Sequence, residues 1–228
     1  MRVLAVTHGP TVGPELFGDV VADEGHELDE WPIDLRGAPP LSGYEAVFVL
    51  GGHQNVGEEV EHPWLHEEYD ALRRWVDDCT PLFAICLGAQ TLSHALGGSV
   101  APVEPTQLAG FYKTELTEQG ATDPVLGVLP RRFGALNANA YEFTVPTGGV
   151  SLAEAPFVQA FRAGESAWGV QFHPEVRREQ VLRWFAEDEP TLPRPLAELE
   201  RELDVNLQAW QEHGRRLCSA FLAVAGQT

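Results

Sequence analysis

The sequence predicts an α/β fold with an open, mixed but mostly parallel β-sheet flanked by helices, an antiparallel extension of that sheet and a C-terminal helix. Three observations lead to this prediction. The run AVFVL at residues 46–50 is apolar throughout, which is typical of a strand buried under helices on both faces. Strand-like and helix-like segments alternate through residue 98, an order that favours a parallel sheet. From residue 111 onward, short strand-like segments are separated by turn residues, which indicates antiparallel strands.

The first half of the chain supplies the parallel part of the sheet. Hydrophobic spacing and turn residues predict strands at residues 2–7, 26–31, 46–50 and 81–85, and helices at residues 14–23, at residues 63–78 and from Gly88 onward. A turn-rich segment at residues 34–43 separates the second strand from the third. In such sheets, sites form at the carboxyl ends of strands. Gly51, Gly52 and Cys86 directly follow predicted strands, so we expect them to mark the site.

The second half combines short strands with two helices. The predicted strands lie at residues 111–117, 133–136, 141–145, 158–162 and 167–172, and a helix follows at residues 177–187. A linker at residues 188–195 leads to a long charged helix that ends near residue 224 and has one apolar face. We therefore predict one domain at residues 1–187 and, at residues 188–228, a linker and an amphipathic helix packed on that domain. A docking or dimer surface on the helix is the open alternative.

The charge of the chain limits its partners. The 228 residues carry a formal net charge of −19, and Lys113 is the one lysine. Such a surface repels nucleic acids and anionic membranes, so we exclude both as partners. The N-terminal residues do not resemble a signal peptide, and no run of about 18 apolar residues occurs. We therefore expect a cytoplasmic protein.

Cys86 is the strongest candidate for a nucleophile. The segment PLFAICLGAQTLSHALGG at residues 81–98 predicts a buried strand, then Cys86, then a helix. A cysteine on such a sharp turn projects out of the sheet and faces the positive end of the helix dipole. Partial positive charge and free backbone N–H groups favour the thiolate, which is the reactive form of cysteine.

The segment AWGVQFHPEV at residues 167–176 supplies a candidate base. A strand ends at His173, and Glu175 follows across Pro174. A carboxylate at that spacing can orient the imidazole and stabilise its protonated form. A single histidine at a strand end is more often structural. Its combination with Cys86 favours a Cys–His–Glu triad that transfers an acyl group through a thioester.

The remaining cysteines and histidines do not predict a metal site. Cys79 and Cys218 have no paired spacing, so we expect buried or half-buried packing residues. His62 and His66 are four residues apart, but no third ligand is evident. The sequence predicts neither a metal ion nor a cofactor.

Three motifs together resemble the class I (triad) glutamine amidotransferase family. They are Gly51-Gly52, CLGAQ at residues 86–90 and GVQFHPE at residues 169–175. They occur in the order of the family, and the sequence is most similar to stand-alone proteins like the amidotransferase part of GMP synthase. The resemblance implies that residues 1–187 form a class I glutamine amidotransferase domain with the flavodoxin-like fold of that family.

The resemblance also implies a reaction, the hydrolysis of L-glutamine to glutamate and ammonia through a γ-glutamyl thioester. Cys86 would attack the side-chain amide carbon of glutamine. His173 would accept and return the proton, and Glu175 would orient His173. The backbone N–H groups of Gly52 and Leu87 would bind the oxyanion, each contributing about 3 kcal/mol.

The substrate side of the predicted site departs from the family in several positions. Gln90, one helical turn after the nucleophile, would hold the amino-acid end of glutamine. Asn139 and Tyr141 stand where many relatives carry a histidine–glycine–aspartate stretch, and substrate contact and a plain loop role are both open for them. His53 replaces a proline that is frequent in relatives, and Leu108 replaces a frequent glutamate. The substrate or the partner can therefore differ while the triad is intact.

Three functions stay open from the sequence. The first is a glutaminase or amidotransferase subunit. Its ammonia would go to a separate synthetase, because the sequence contains no phosphate-binding loop of the SGGxDS, GxxxxGKS or GxxxxGKT kind. The second is a γ-glutamyl amide or peptide hydrolase on the same fold. The third is a non-enzymatic regulatory module, against which the intact triad counts. A homodimer is also left open.

Overall fold

The computed structural model describes residues 1–227. Within that range, the strands form a nine-stranded sheet and a separate two-stranded sheet. The strands are β1 (Arg2–Thr7), β2 (Glu27–Pro32), β3 (Ala46–Val49), β4 (Leu82–Ile85), β5 (Val100–Pro102), β6 (Leu108–Leu116), β7 (Arg132–Asn139), β8 (Tyr141–Phe143), β9 (Val150–Glu154), β10 (Val158–Ala163) and β11 (Ala167–Val170). The helices are α1 (Glu15–Asp23), α2 (Ile33–Arg36), α3 (Trp64–Asp77), α4 (Leu87–Ala95), α5 (Glu118–Thr122), α6 (Arg178–Glu187) and α7 (Leu196–Ala225).

The large sheet has a parallel half and an antiparallel half. Its strand order is β2-β1-β3-β4-β11-β10-β9-β6-β7. The five strands from β2 to β11 are parallel to their neighbours within that half. From β11 onward, every pairing to β7 is antiparallel. The predicted α/β fold class, with its antiparallel extension and C-terminal helix, is confirmed.

Strand β11 occupies a different place from the one that the sequence indicated. Residues 167–172 were predicted within the antiparallel extension, but β11 lies at the centre of the sheet, parallel to β4 and antiparallel to β10. All four of its residues are buried. Burial on both faces is the property that also makes β3 a continuous apolar run, so β11 shares the environment of the parallel strands.

Four short elements also differ from the prediction. The strand predicted at residues 141–145 lies outside the large sheet, because β8 pairs with β5 in the two-stranded sheet. Strands β5 and β9 have three and five residues, and neither was predicted. Helix α2 occupies four residues at the start of the segment that was predicted as turns. Elements of this length carry too few residues for a hydrophobic period to emerge.

Each face of the large sheet packs on its own helices. On one face, α1 and α7 cover the strands, and four phenylalanine rings cluster with centroid distances of 5.2 to 5.8 Å: Phe17, Phe48, Phe83 and Phe221. On the other face, α3 and α4 cover the same strands and bury Leu72, Trp75 and Leu92. The helices leave the carboxyl ends of the parallel strands as the open edge of the sheet.

The C-terminal helix α7 packs closely on the rest of the protein. It contacts α1, α6 and the antiparallel strands β6 and β7. Its apolar stripe is buried, as the sequence predicts, and includes Leu199, Leu203, Leu207, Trp210 and Leu217. Gly214 allows the closest approach, since a Cβ at this position would lie 2.0 Å from the carbonyl oxygen of Pro174.

The cysteines follow the prediction in part. All three are free thiols, and Cys218 is buried as expected. Cys79 is exposed, so the prediction of a buried or half-buried packing residue is wrong for it. It lies in the turn after α3 with a φ of 55°, at the surface end of that helix. Among the helices of residues 1–227, none is long and apolar enough to cross a membrane.

Candidate active site

Cys86 lies on a strained turn between β4 and α4. Its φ of 52° and ψ of −109° fall in a region that residues other than glycine rarely adopt. The Cys86 N–H donates to the Val170 carbonyl at 2.8 Å, and the Gly88 N–H donates to the Leu50 carbonyl at 3.1 Å. Glycine is required at position 88, because a Cβ there would lie 2.3 Å from the carbonyl oxygen of Val49. The expected strand–cysteine–helix turn is therefore present.

Three strand ends bring the predicted triad and the paired glycines together. Because β3, β4 and β11 are parallel neighbours, the residues that follow them meet at one edge of the sheet. A Cβ placed on Gly51 would lie 3.0 Å from His173 Cε1 and 3.6 Å from Cys86 Cβ. The backbone after β3 thus borders both side chains, and a residue larger than glycine would displace them.

His173 and Glu175 form a buried pair. The His173 Nδ1 lies 2.8 Å from Glu175 Oε1, and both side chains are almost fully excluded from solvent. The ring of Trp184 packs on His173 with a centroid distance of 4.8 Å. Burial by itself lowers the pKa of His173, but the carboxylate of Glu175 and the sulfur of Cys86 outweigh it and raise that pKa to about 10. At neutral pH the imidazole is therefore protonated beside Cys86.

Two free backbone N–H groups flank the cysteine. Gly52 and Leu87 lie next to each other, since a Cβ on Gly52 would be 2.7 Å from Leu87 Cδ2. Within residues 1–227, neither N–H donates a hydrogen bond to a backbone or side-chain acceptor. Unpaired N–H groups at a helix N-terminus can stabilise a negatively charged oxygen. The resemblance predicts these two N–H groups as the oxyanion donors.

Cys86 opens into a polar cleft of about 180 Å³. The cleft is lined by the predicted substrate-side residues Gln90, Asn139 and Tyr141, together with Gly52. His53 and Leu108, which depart from the family pattern, line it as well. His173 faces an adjoining part of the cleft that it shares with Cys86 and Gly52, whereas Glu175 lies buried behind it. The cleft thus surrounds the candidate nucleophile with amide and backbone groups.

Gln90 and Asn139 are tied to the same backbone carbonyl. The Gln90 Nε2 donates to the Tyr141 carbonyl at 3.0 Å, and the Asn139 Nδ2 donates to it at 2.9 Å. The side-chain oxygen of Asn139, Oδ1, is buried without a hydrogen-bond partner in the part of the chain that the structure describes. A buried acceptor of this kind at a cleft wall is available to a ligand that donates a hydrogen bond.

Asp188 and Trp184 line the part of the cleft that holds Cys86 and His173, and neither was predicted from the sequence. Partial burial raises the pKa of the Asp188 carboxyl, and the charge of His53 opposes that shift. Asp188 lies just after α6, in the segment that the sequence assigned to a linker. No motif distinguishes it, so only the fold brings it to the site.

A second buried histidine–glutamate pair lies behind Gly51. The His8 Nδ1 is 2.9 Å from the Gly51 carbonyl oxygen, and the His8 Nε2 is hydrogen bonded to Glu68. His8 is not among the site residues predicted from the sequence. One signal could have distinguished it: His8 directly follows β1, so it stands at the same sheet edge as the candidate site.

The histidines give no metal centre. His62 lies in the turn before α3 rather than on a helix face with His66. Across residues 1–227, no group of three or more His, Cys, Asp or Glu side chains is arranged to hold a metal ion.

Comparison with known proteins gives a family match over most of the chain. The family model described as glutamine amidotransferase class-I matches residues 21–183. A glutamine amidotransferase-like protein, chyE, from Penicillium rubens is 27% identical over 162 residues, which are 69% of this chain and 66% of that protein. A GMP synthase (glutamine-hydrolyzing) from Thermomicrobium roseum is 36% identical over 155 residues, which are 66% of this chain and 27% of that protein.

A third relative carries a different name. The gamma-glutamyl-L-1-hydroxyisopropylamide hydrolase of a Pseudomonas species is 29% identical over 146 residues, which are 60% of this chain and 49% of that protein. The chain thus spans less than two thirds of the length of each of these relatives.

Solved structures share the fold. A glutamine amidotransferase from Thermotoga maritima superposes with a TM-score of 0.86 at 23% identity, covering 97% of both chains. A second one, from Methylobacillus flagellatus, has a TM-score of 0.88 at 20% identity and covers 97% of this chain and 94% of that one. At these identities the likeness establishes the architecture alone.

Proposed function

This chain belongs to the class-I glutamine amidotransferase family, and we propose that it hydrolyses L-glutamine to glutamate and ammonia. One observation carries the proposal: Cys86, on its strained turn, shares a sheet edge with the buried His173–Glu175 pair. The raised pKa of His173 places a proton donor beside Cys86. A thiolate in a polar cleft beside a proton donor is suited to acyl transfer from an amide.

In the first half-reaction Cys86 is the nucleophile and His173 carries the proton. With the thiol proton on His173, the sulfur attacks the side-chain amide carbon of glutamine, a C–S bond forms and the carbonyl electrons move onto oxygen. The N–H groups of Gly52 and Leu87 donate to this oxyanion, which for one such donor is worth about 3 kcal/mol. On collapse the C–N bond breaks, His173 gives its proton to the leaving nitrogen, and ammonia departs.

In the second half-reaction water hydrolyses the γ-glutamyl thioester. His173 takes a proton from the water, whose oxygen attacks the thioester carbon. The C–S bond breaks, glutamate leaves and Cys86 returns as a thiolate beside the protonated His173. Glu175 stabilises the imidazolium through Nδ1, which leaves Nε2 for both proton transfers. The two half-reactions together use groups of this chain and one water molecule, which enters in the second.

The cleft wall offers partners for the amino-acid end of glutamine. We assign the substrate contacts to Gln90, Asn139 and the Tyr141 segment that holds them. The unpaired Asn139 Oδ1 can accept a hydrogen bond from the substrate ammonium group. The Asp188 carboxylate lies at the same cleft and can pair with that ammonium group.

The proposal also concerns the organisation of the chain and its partner. We assign residues 1–187 to the amidotransferase domain and residues 188–228 to a linker and supporting helix. The chain corresponds to 27% of the GMP synthase to which it is similar, so an ammonia acceptor would lie outside the matched region. We therefore propose that a separate synthetase subunit consumes the ammonia.

A second candidate function is the hydrolysis of a γ-glutamyl amide or peptide. The relative named gamma-glutamyl-L-1-hydroxyisopropylamide hydrolase favours it. So do His53 and Leu108, which line the cleft at positions where the family often has other residues. The same triad chemistry applies, with an amine in place of ammonia as the leaving group.

The test is a substrate panel with the purified protein. Ammonia and glutamate release from L-glutamine is measured beside release from γ-glutamyl amides and peptides, with L-asparagine and D-glutamine as controls for chain length and stereochemistry. Turnover of L-glutamine that is lost in His173→Asn supports the glutaminase. Turnover of γ-glutamyl amides without glutamine supports the hydrolase. Turnover of neither contradicts both candidates and favours a regulatory module.

A further inference from the structure

The pair formed by His8 and Glu68 is fully buried and has no part in the triad chemistry. His8 follows β1 and Glu68 lies on α3, yet the two side chains are hydrogen bonded within the core. The Thr91 hydroxyl on α4 donates to the other oxygen of Glu68 at 2.6 Å. The ring of Trp64 stacks on His8 with a centroid distance of 5.2 Å and an interplanar angle of 23°. These contacts from α3 and α4 fix the His8 ring.

The hydrogen-bond partners of His8 define its protonation. The Gly51 carbonyl can only accept, so the His8 Nδ1 must carry a hydrogen. Burial lowers the pKa of His8, but the charge and hydrogen bond of Glu68, with the backbone carbonyls, raise it above the ordinary value. His8 therefore donates to Gly51 through Nδ1, and the carboxylate of Glu68 at Nε2 favours the charged form of the ring. A charged donor makes a stronger hydrogen bond than a neutral one.

The peptide group between Gly51 and Gly52 connects this pair to the candidate site. In a trans peptide, the carbonyl of one residue and the N–H of the next point in opposite directions. The Gly51 carbonyl points to His8, so the Gly52 N–H points away from His8, and Gly52 lines the cleft together with Cys86. A hydrogen bond to the carbonyl also polarises the peptide and strengthens its N–H as a donor.

We propose that His8, held by Glu68, is a positioning residue that orients the Gly52 N–H for oxyanion stabilisation at Cys86. The inference rests on the proposed acyl-transfer function and adds residues that the triad and its motifs do not include. His8 touches no reacting atom, so its removal lowers kcat and leaves KM within about twofold, since the oxyanion exists only after attack on the carbonyl.

Two substitutions separate the hydrogen bonds of His8. The amide nitrogen of asparagine takes roughly the place of Nδ1, whereas that of glutamine takes roughly the place of Nε2. His8→Gln keeps the contact with Glu68 and loses the donor to Gly51, so kcat falls about 10- to 100-fold. His8→Asn, combined with Glu68→Gln to avoid a buried unpaired carboxylate, keeps the donor to Gly51 and retains kcat within about threefold. His66→Gln, on the exposed side of α3, is the matched control and leaves kcat unchanged.

Two further readouts distinguish positioning from a general loss of structure. Alkylation of Cys86 by iodoacetamide passes through no oxyanion, so His8→Gln reacts at the rate of the unmodified protein. Acylation of Cys86 by p-nitrophenyl acetate does pass through an oxyanion, so it slows in His8→Gln by a factor similar to the fall in kcat. Equal slowing of alkylation and acylation would overturn the proposal, because it would indicate a disturbed cysteine.

The acylation assay also separates this inference from the proposed function. If the unmodified protein hydrolyses no glutamine but His8→Gln still slows acylation alone, the substrate assignment fails and the positioning role stands. If glutamine is hydrolysed equally by the unmodified protein and His8→Gln, the function stands and the positioning role is wrong. If the unmodified protein neither hydrolyses a γ-glutamyl substrate nor is acylated by p-nitrophenyl acetate at Cys86, both are wrong.

A milder variant keeps the test decisive if the His8 variants do not fold. Thr91→Val has nearly the same shape and removes the hydroxyl that donates to Glu68. Without this hydrogen bond, Glu68 is held less firmly in its contact with His8. The rate of acylation and kcat are therefore expected to fall by about threefold or more, while the rate of alkylation is unchanged. Unchanged acylation in folded Thr91→Val would contradict the proposed positioning.

Discussion

The indole Nε1 of Trp210 donates a hydrogen bond of 2.7 Å to the backbone carbonyl of His173. Trp210 lies on α7, beyond the residues 21–183 that the family model matches. Its ring also packs edge-on against Phe172 at a centroid distance of 5.5 Å. The C-terminal helix therefore fixes the strand end that carries the candidate base, so a segment outside the family motifs supports the site.

Replacing Trp210 by phenylalanine tests this support. Trp210→Phe keeps an aromatic ring and leaves the buried His173 carbonyl without its donor, which we expect to cost about 1–3 kcal/mol in the free energy of unfolding. Because His173 shifts with its backbone, kcat is expected to fall about three- to tenfold. Urea unfolding and steady-state kinetics measure the two effects.

Trp31 provides a matched control for this variant. Its indole also donates to a backbone carbonyl, that of Gly37, at 2.9 Å, but it lies away from the cleft. Trp31→Phe is expected to lower stability slightly and to leave kcat unchanged. An equal fall in kcat for both variants would show that the effect of Trp210 does not pass through His173.

Removal of the candidate nucleophile has the largest expected effect on activity. Cys86→Ala is expected to lower turnover by about four orders of magnitude or more, because no other thiol lies in the cleft among residues 1–227. Iodoacetamide labelling followed by peptide mass analysis is expected to lose the label on residue 86. Cys79→Ala removes the exposed thiol, loses only the label on residue 79 and keeps full turnover. Substantial activity in Cys86→Ala would exclude the thioester mechanism.

Replacing Glu175 by glutamine tests the cause of the raised His173 pKa. In Glu175→Gln the carboxylate charge is lost while burial still favours the neutral ring, so the pKa of His173 falls from about 10. His173 then loses its proton at lower pH, and the alkaline limb of the kcat profile moves to lower pH. Turnover at pH 7 is expected to drop by about a hundredfold or more.

The free energy of unfolding also depends on the pKa of His173. The folded pKa of His173 lies above its ordinary value of 6.5, so this group contributes stability that is fully present below about pH 6.5 and is lost as the pH rises through about 10. The difference in unfolding free energy between the unmodified protein and Glu175→Gln is therefore expected to be larger at pH 6 than at pH 9. Glu118→Gln, on the exposed α5, is the control and has no such pH dependence. A difference that grows with pH would contradict the assignment.

Gly88 is expected to be intolerant of a single methyl group. In Gly88→Ala the new Cβ would meet the Val49 carbonyl at 2.3 Å, so α4 must shift at a cost of about 1–3 kcal/mol, and the Leu87 N–H shifts with it. Turnover is expected to fall together with stability. In Gly134→Ala the nearest atom is Phe111 Cδ1 at 3.7 Å, an ordinary contact, so stability changes by less than about 1 kcal/mol. Thermal unfolding of both variants decides the comparison.

The sequence predicts most of the sheet because its signals are local. The apolar run of β3, the turn at Cys86 and the leucine stripe of α7 each lie within a few residues, so each could be recognised without the fold. The central place of β11 could not, because its partner β4 is about 80 residues earlier and nothing local specifies that pairing.

The candidate site shows the same division between local and distant information. Cys86, His173 and Glu175 belong to compact motifs and were predicted. Asp188 reaches the cleft from a linker, and His8 reaches Glu68 across 60 residues of sequence. Their roles depend on pairs of residues that only the folded chain brings into contact, so residue type and spacing carry no signal for them.

The close approach of Gly214 to Pro174 has a consequence for the route of ammonia. Helix α7 presses on the far side of the strand end that carries His173, and none of its residues lines the cleft. Residues 52–55, together with Asp188 and Leu192, line the cleft instead. For the proposed glutaminase, we therefore expect a protein that receives ammonia directly to contact these lining segments rather than the C-terminal helix.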